Sequence, residues 1–422
     1  MLLIAVFSTA QSSTNSPYTR YGFGQLTDQS FGNGKAMGGI GYGLRNGLQV
    51  NASNPASYSA VDSLTFLFDA GMSLQNANFN ENGTKTNAKN STVDYIAMQF
   101  RLMKGLGMTA GFLPYSSTGY NMLKVSEIPN SEDQYGSSTS QLATYNGNGG
   151  LQQVFVGLGY NVLKNLSIGV NFSYLYGDIT HTVSTSFSNN NAFTSLWTEK
   201  IDVQDYKLDF GLQYTQKFSQ KHAVTLGAVY SFAKDLNSDG YRYIEKYDNT
   251  TLISQSGDSI ANPCALPQTF GVGATYVYDN RLTIGADYTM QKWADVKFPT
   301  TIGNKYTSQE GQFSNRNKFS FGAEYLPNPI SRNYLKRIRY RIGAHYATPY
   351  AKVDGQEGAK EYGVSFGFGF PLHLYQARSI LNISGQYIKV SPKVKGMLEE
   401  NYLRINVGLT FNERWFMKWK VD

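Results

Sequence analysis

Four cationic side chains in the last quarter of the chain are the best candidates for binding chemistry. Arg339, Arg341 and His345 alternate with apolar residues in "RIRYRIGAHY", and Arg404 stands in the same way in "YLRINVGLTF". A period of two puts alternate side chains on opposite faces of a strand, so these cations share the polar face. A guanidinium pairs with two carboxylate oxygens at once, so the arginines fit the headgroup of an anionic amphiphile.

The same polar face carries charges of both signs, which offers an alternative. The alternation also projects onto it Asp69, Arg101, Asp209, Asp287 and Glu324. Salt bridges to these acidic groups, or to another segment of the chain, would occupy the arginines without any ligand. The mixed charge favours this alternative over ligand binding.

Enzymatic motifs are weak in this sequence. Ser365 lies in "GVSFG", which matches the G-x-S-x-G pattern, but that pattern needs a strand–turn–helix and Ser365 lies within an alternating run. "GDS" at Gly257–Ser259 falls in a predicted loop. The single Cys264 excludes an internal disulfide, and no Cys/His spacing suggests zinc. We therefore expect no enzyme, no cofactor and no metal site.

The composition indicates an all-β protein. The 422 residues include 42 Gly, 31 Tyr and 25 Phe, whereas only 16% are charged. Glycine and aromatic residues recurring in many short alternating runs are typical of strands and barrels. The net charge of +7 comes from dispersed Lys and Arg, without a basic run of the nucleic-acid-binding type, so no nucleic-acid partner is expected.

Strand length distinguishes a soluble sandwich from a membrane barrel. The alternating runs are mostly about nine to thirteen residues long, whereas globular strands average about five to six and a tilted membrane strand needs about nine to eleven. Fourteen strands are predicted: Leu64–Asn76, Asp94–Met103, Met108–Tyr115, Gln152–Val162, Leu166–Tyr176, Tyr206–Lys217, His222–Phe232, Thr269–Tyr278, Leu282–Met290, Asn317–Leu326, Ile338–Thr348, Glu361–Pro371, Ser379–Ile388 and Tyr402–Phe411.

The connections between these strands alternate in length. Tight connections such as "KGLG" and "DNR" are followed by long polar ones at Ser116–Leu151, Gly177–Asp205, Ala233–Gln268 and Gln291–Arg316. Short periplasmic turns with long external loops are the signature of an outer-membrane barrel. An even strand count puts both termini in the periplasm, with residues 64–411 forming the barrel and residues 412–422 a periplasmic tail. Trp415, Phe416 and Trp419 in that tail suit an interfacial aromatic girdle.

Two segments precede the barrel. "MLLIAVFSTA" (residues 1–10) has the apolar run and small residues of a signal-peptide remnant, which predicts export. Residues 11–63 are Gly-rich and do not alternate. Because fourteen strands enclose more space than their side chains fill, we expect this segment to fold inside as a hatch, or plug. Asn54, Pro55 and Ala56 would end the hatch and lead into the first strand.

These features resemble the FadL family of outer-membrane transporters for fatty acids and other hydrophobic compounds. The resemblance is carried by the Gly-rich segment followed by Asn54-Pro55-Ala56, by "GFLPYSSTGY" at the third strand and by "ALPQTFGVGATY" at Ala265–Tyr276, and it spans the mature chain. It implies a fourteen-stranded antiparallel transmembrane β-barrel, all-β, with an N-terminal hatch in the lumen.

The family resemblance also implies a function. A hydrophobic or amphiphilic small molecule would enter by passive diffusion and leave sideways into the outer-membrane lipid, through an opening that Pro114 marks beside the third strand. The alternative for Pro114 is that it merely ends this strand. The alternative for the whole protein is a non-transporting barrel subunit or scaffold of an outer-membrane assembly or secretion complex, with lipoproteins or another barrel as partners.

Overall fold

The computed structural model describes residues 13–81, 83–132, 138–189, 192–303, 305–353, 355–374, 377–393 and 397–414. The predicted signal-peptide remnant (1–10) and the aromatic residues of the predicted tail, Trp415, Phe416 and Trp419, lie outside the described residues. Within the described part of the chain, no helix is long and apolar enough to cross a membrane.

Fourteen antiparallel strands close into one barrel. They are β1 (Thr65–Glu81), β2 (Thr84–Met103), β3 (Leu106–Pro114), β4 (Ser138–Asn161), β5 (Leu166–Phe187), β6 (Thr194–Lys217), β7 (His222–Ser231), β8 (Thr269–Tyr278), β9 (Leu282–Gln291), β10 (Arg316–Tyr325), β11 (Arg339–Ala347), β12 (Lys360–Leu374), β13 (Ala377–Ser391) and β14 (Glu399–Arg414). Each strand pairs with the next, and β14 pairs with β1 from Thr65↔Arg414 to Asn80↔Glu399. The predicted fourteen-stranded barrel is confirmed.

The polar face of the alternating strands lies inside the barrel. On β1 the side chains of Asp69, Ser73 and Gln75 are buried, whereas Met72 and Leu74 between them are about half exposed. An exposed apolar face around a closed barrel is stable only against lipid, because water would penalise so much apolar surface. The architecture is therefore that of a membrane barrel.

The two ends of the barrel differ. Connections 104–105, 162–165, 218–221 and 279–281 lie at one end, which we call the short-turn end; residues 326–338, between β10 and β11, lie there too. The opposite end, the long-loop end, carries the connections β7–β8, β9–β10 and β11–β12.

Several segments predicted as loops at the long-loop end are strands. Ser116–Glu132, the outer parts of β4, β5 and β6, and the hairpin of Ser238–Asp248 with Thr251–Ala261 form a continuous six-stranded sheet, the extension sheet. At about 3.3 Å per residue the 24 residues of β4 span roughly 80 Å, far more than an apolar band of about 25 Å. The loop prediction was wrong because Thr- and Ser-rich runs such as "THTVSTSF" keep the strand period without an apolar face.

A hydrophobic cluster, the mouth cluster, lies across the barrel at the long-loop end. It joins residues of β4–β6, of the long connections and of the N-terminal segment: Phe23, Tyr115, Leu151, Leu175, Ile179, Ile201, Val203, Leu236, Cys264, Ala265, Leu266, Trp293, Val296, Phe298, Phe313 and Tyr350. The ring centroids of Trp293 and Tyr350 are 4.5 Å apart, and those of Phe23 and Phe298 are 5.2 Å apart. Because β4–β6 and the β11–β12 connection lie on opposite sides of the barrel, the cluster spans it.

The N-terminal segment contains only short elements. These are two 3₁₀ turns (Pro17–Arg20 and Pro55–Ala60), a strand pair of Gln25–Leu26 with Ser116–Ser117, and one helical turn at Gly32–Ala36. Its backbone contacts inward-facing residues on most of the wall, from β3 and β4 to β11 and β12. We call residues 13–63 the hatch.

Candidate functional site

The Asn-Pro-Ala turn packs against a glycine patch on the inner wall. The Asn54 side chain caps the Pro55–Ala60 turn by accepting from the Ala56 N–H (3.1 Å), and its amide donates to the Leu212 carbonyl of β6 (3.2 Å). Gly169 of β5 and Gly211 of β6 face this turn. A Cβ on Gly169 would lie 2.3 Å from the Pro55 carbonyl carbon, so only glycine permits the contact.

Wall side chains also bind the hatch backbone. The Asp287 carboxylate on β9 accepts from the backbone N–H groups of Gly41 (2.6 Å) and Tyr42 (2.9 Å). Ser365, the serine of the "GVSFG" motif, lies within β12; its hydroxyl accepts from the Gly38 N–H (2.9 Å) and donates to the Ala36 carbonyl (3.0 Å). Ser365 therefore holds the hatch and has no strand–turn–helix around it.

Three charged residues of the hatch bind the wall, although no motif in the sequence singles them out. Lys35 pairs with Asp94 of β2 at 2.7 Å, both side chains being almost fully buried. Arg45 donates to Gln213 of β6 (3.0 Å) and to Asn161 of β4 (2.9 Å). Together with Asp28 they are the only charged residues between 21 and 61. Their isolation in an otherwise uncharged segment is the sequence feature that could have marked them as contacts to the wall.

Asp28 forms the third of these contacts. Its carboxylate lies 2.8 Å from the Lys318 ammonium of β10. Burial alone would raise the pKa of Asp28, but the Lys318 charge and hydrogen bonds from Ser30 and Lys318 outweigh burial and hold that pKa well below its usual range. The carboxylate therefore stays ionised and anchors the hatch.

The four candidate cations all have partners within the protein. Arg339 and Arg341 both lie 2.6 Å from Glu324 of β10. Arg341, buried completely, also donates to Asn382 (2.6 Å).

The other two candidates lie elsewhere on the wall. His345 is 2.8 Å from Glu361, and the Arg404 Nε donates to Gln75 (3.1 Å). The structure thus joins Arg339 and Arg341 through Glu324, while His345 and Arg404 bind separate partners.

A cavity of about 780 Å³ lies between the hatch and the wall. His345 and Arg404 line it, and its lining includes the ion pairs Lys35–Asp94, Lys207–Asp209 and Asp28–Lys318. Its surface therefore combines charges of both signs with apolar side chains such as Phe112, Phe155 and Val229. No group of three or more His, Cys, Asp or Glu side chains among the described residues is arranged to hold a metal ion.

The barrel wall has a gap beside this cavity. β2 and β3 pair only from Ile96↔Phe112 to Met103↔Leu106. Further out, Thr84–Tyr95 pairs with β1 alone, and Ser116–Glu132 pairs with β4 and Gln25–Leu26, as far as the chain is described. Pro114 has no N–H to continue the ladder.

The opposite side of the gap is also irregular. The β1–β2 register skips Asp94, leaving a bulge where β2 would meet Pro114. The cavity lining includes Met72 and Val93, whose side chains face outward, so the cavity reaches the outer surface at the gap.

The fold resembles solved bacterial hydrocarbon channels. The Pseudomonas putida toluene transporter TodX matches with a TM-score of 0.60 and 15% identity, over 93% of this chain and 100% of that one. A Pseudomonas aeruginosa FadL homologue matches with a TM-score of 0.61 and 13% identity over the same shares, and the CymD monoaromatic hydrocarbon channel with 0.57 and 13% over 93% and 99%. No curated protein matches the sequence.

A closed fourteen-stranded barrel with a polar interior, an apolar outer band and these structural neighbours defines an outer-membrane β-barrel of FadL-like fold. The BamG family model matches residues 1–422. The chain belongs to the BamG family.

Proposed function

We propose that this protein is a non-transporting barrel subunit of an outer-membrane assembly complex. The observation that carries the proposal is the mouth cluster, which fills the end of the barrel where a ligand from outside would have to enter. Sixteen buried side chains from four connections, the wall and the hatch would have to separate to admit a ligand, at a cost of about 1.5–3 kcal/mol for each large apolar side chain exposed.

The four candidate cations already have partners within the protein, and this supports the same function. Glu324, Asn382, Glu361 and Gln75 already hold the groups that an amphiphile carboxylate would need. A ligand that took both Arg339 and Arg341 from Glu324 would leave this buried carboxylate uncompensated, which costs several kcal/mol. The family name, BamG, also favours an assembly subunit.

The extension sheet supplies the surface for partners. A six-stranded sheet beyond the apolar band offers backbone edges and exposed side chains on a rigid barrel, and Thr251–Ala261 at its edge is exposed along almost its whole length. An exposed strand edge recruits other chains by pairing with them. The barrel, its hatch fixed, would act as the membrane-embedded support for this sheet.

Purification of the tagged protein from its native outer membrane in mild detergent tests this function. Mass spectrometry of the eluate should find stoichiometric lipoproteins or another barrel. A variant in which a short turn replaces Ser238–Ala261 should lose them. A variant in which a shorter turn replaces the small hairpin of Lys352–Val353 with Gln356–Glu357, in the β11–β12 connection, should keep them. Apolar small molecules in the lumen, without partner proteins, would contradict the proposal.

A second function, a channel for small apolar molecules with lateral exit, is favoured by the wall gap and by the channel neighbours. The cavity reaches the outward-facing Met72 and Val93, so a molecule in it would have a route to lipid. Pro114→Val restores an N–H at the gap and should reduce uptake of labelled toluene or oleate by cells, whereas Pro327→Ala, in the β10–β11 connection, should not. Equal uptake by cells with and without the protein would exclude the channel.

A further inference from the structure

Exposed cations surround the short-turn end of the barrel. In the described turns at this end, the exposed lysine and arginine side chains are Lys104, Lys164, Lys217, Lys221, Arg332 and Lys336. Arg281 is exposed too and lies 3.4 Å from Asp279, the one carboxylate in these turns. The described turns at this end therefore carry a clear excess of exposed positive charge.

Most of these lysines stand next to an exposed apolar side chain. The apolar members, Met103, Leu163, Phe218 and Leu335, are 61, 63, 70 and 62% exposed. The pairs Met103–Lys104, Leu163–Lys164, Lys217–Phe218 and Leu335–Lys336 recur at the turns β2–β3, β4–β5, β6–β7 and β10–β11. An apolar side chain beside a cation fits the boundary between acyl chains and headgroups.

The fourth pair is held in place by an ordered loop. Asn333 caps the 3₁₀ turn Tyr334–Arg337, and the Asn328 N–H donates to the Lys336 carbonyl at 2.8 Å. Tyr340, on the lipid-facing side of β11, donates its hydroxyl to the Leu335 carbonyl at 3.0 Å. These bonds keep Leu335 and Lys336 close to the outer face of the barrel.

We infer that these four pairs, the cationic ring, bind the anionic headgroups of phospholipids in the leaflet at the short-turn end. The recurrence of the pairs favours a lipid layer, because a layer meets the barrel on every side whereas an acidic protein would dock on one. Phosphate groups at this depth would neutralise the lysines while acyl chains cover the neighbouring apolar side chains. The inference does not depend on the proposed function.

Lipid titration of the purified full-length protein tests the ring. Native mass spectrometry would count bound dioleoyl-phosphatidylglycerol and dioleoyl-phosphatidylcholine at equal concentrations. The unmodified protein should prefer phosphatidylglycerol. Replacing Lys104, Lys164, Lys217 and Lys336 together by Gln should weaken this preference at least about tenfold, since one surface cation is worth a factor of about five.

A matched control has the same number of charges removed at the other end. Lys85, Lys124, Lys246 and Lys305 are exposed at the long-loop end, and their replacement by Gln should leave the preference unchanged. The heat-modifiable gel shift of a folded barrel shows that both variants fold. The inference would be overturned if the unmodified protein bound the two lipids equally, or if the ring variant kept its preference. It would also be overturned if the ring variant lost a partner protein without a change in lipid binding.

Discussion

A single carboxylate, Glu324, neutralises two of the four cations that were candidates for ligand binding. Its oxygens each lie 2.6 Å from a guanidinium, one on Arg339 and one on the completely buried Arg341. An ion pair in this position is worth little beyond a hydrophobic pair, but removing one partner leaves a buried charge.

Glu324→Ala should therefore lower the free energy of unfolding by about 3–5 kcal/mol, because both guanidinium groups would lose the carboxylate that neutralises them. The measurement is denaturant unfolding in detergent. Asp279→Ala, which breaks the exposed pair with Arg281, should cost less than about 1 kcal/mol. Equal losses for the two variants would contradict this account of Glu324.

Cys264 should be unreactive in the folded protein. Burial in the mouth cluster raises the pKa of its thiol to about 12, so almost no thiolate forms at pH 8 and no reagent reaches it. Maleimide labelling should proceed only after unfolding. A cysteine introduced by Ser254→Cys, exposed on the extension sheet, should label within minutes, and rapid labelling of native Cys264 would show that the mouth cluster opens.

The sequence could predict on which face of a strand the four candidate cations lie, but not which groups they bind. Alternation placed Arg339, Arg341, His345 and Arg404 inside the barrel, as the structure has them. The pairing of Glu324 with Arg341 depends on the register of β10 and β11, which the thirteen-residue connection 326–338 sets. Nothing in a single strand encodes that register.

At the scale of elements, the hatch fits the wall through backbone contacts that exclude side chains. Gly169→Ala would bring a Cβ within 2.3 Å of Pro55 and displace the Asn-Pro-Ala turn. We expect a lower melting temperature and faster tryptic cleavage in the hatch, for which Arg45 is a site. Gly385→Ala is the control, since a Cβ there meets no atom within 4 Å. Equal effects of the two substitutions would show that the contact is unimportant.

The sequence predicted the membrane part of each strand better than the outer part. Apolar residues at every second position mark β8, β9 and β11 within one or two residues of their observed ends. The extension sheet was missed because its strands, apart from the few residues that join the mouth cluster, carry mostly polar side chains on both faces, so the apolar signal is lost while the strand persists.

At the scale of the whole molecule, the mouth cluster closes one end of the barrel. Trp293→Ala removes its largest fully buried side chain and should lower the free energy of unfolding by about 3–5 kcal/mol. In planar bilayers this variant should also conduct more ions than the unmodified protein. Trp197→Ala, on the extension sheet away from the cluster, should leave conductance unchanged, and equal conductance of all three proteins would mean that the cluster is not the barrier.

The closure of the mouth could not be read from the sequence. Phe298 and Phe313 lie in the β9–β10 connection and Tyr350 in the β11–β12 connection, both without periodicity, and they meet only because the barrel brings these two connections to the same opening. The strand count, by contrast, follows from counting alternating runs.

The pairing of β1 with β14 also dictates an order of events during biogenesis. The two strands are separated by more than 300 residues, so the seam between them cannot form until the last strand has been synthesised and exported. Contacts so distant in the chain form slowly. Until that moment the nascent sheet has two unsatisfied edges and an open side, through which the covalently attached hatch can be enclosed. Closure of the barrel and enclosure of the hatch are thus one late step. A factor that accelerates the pairing of β1 with β14 therefore also acts on the enclosure of the hatch.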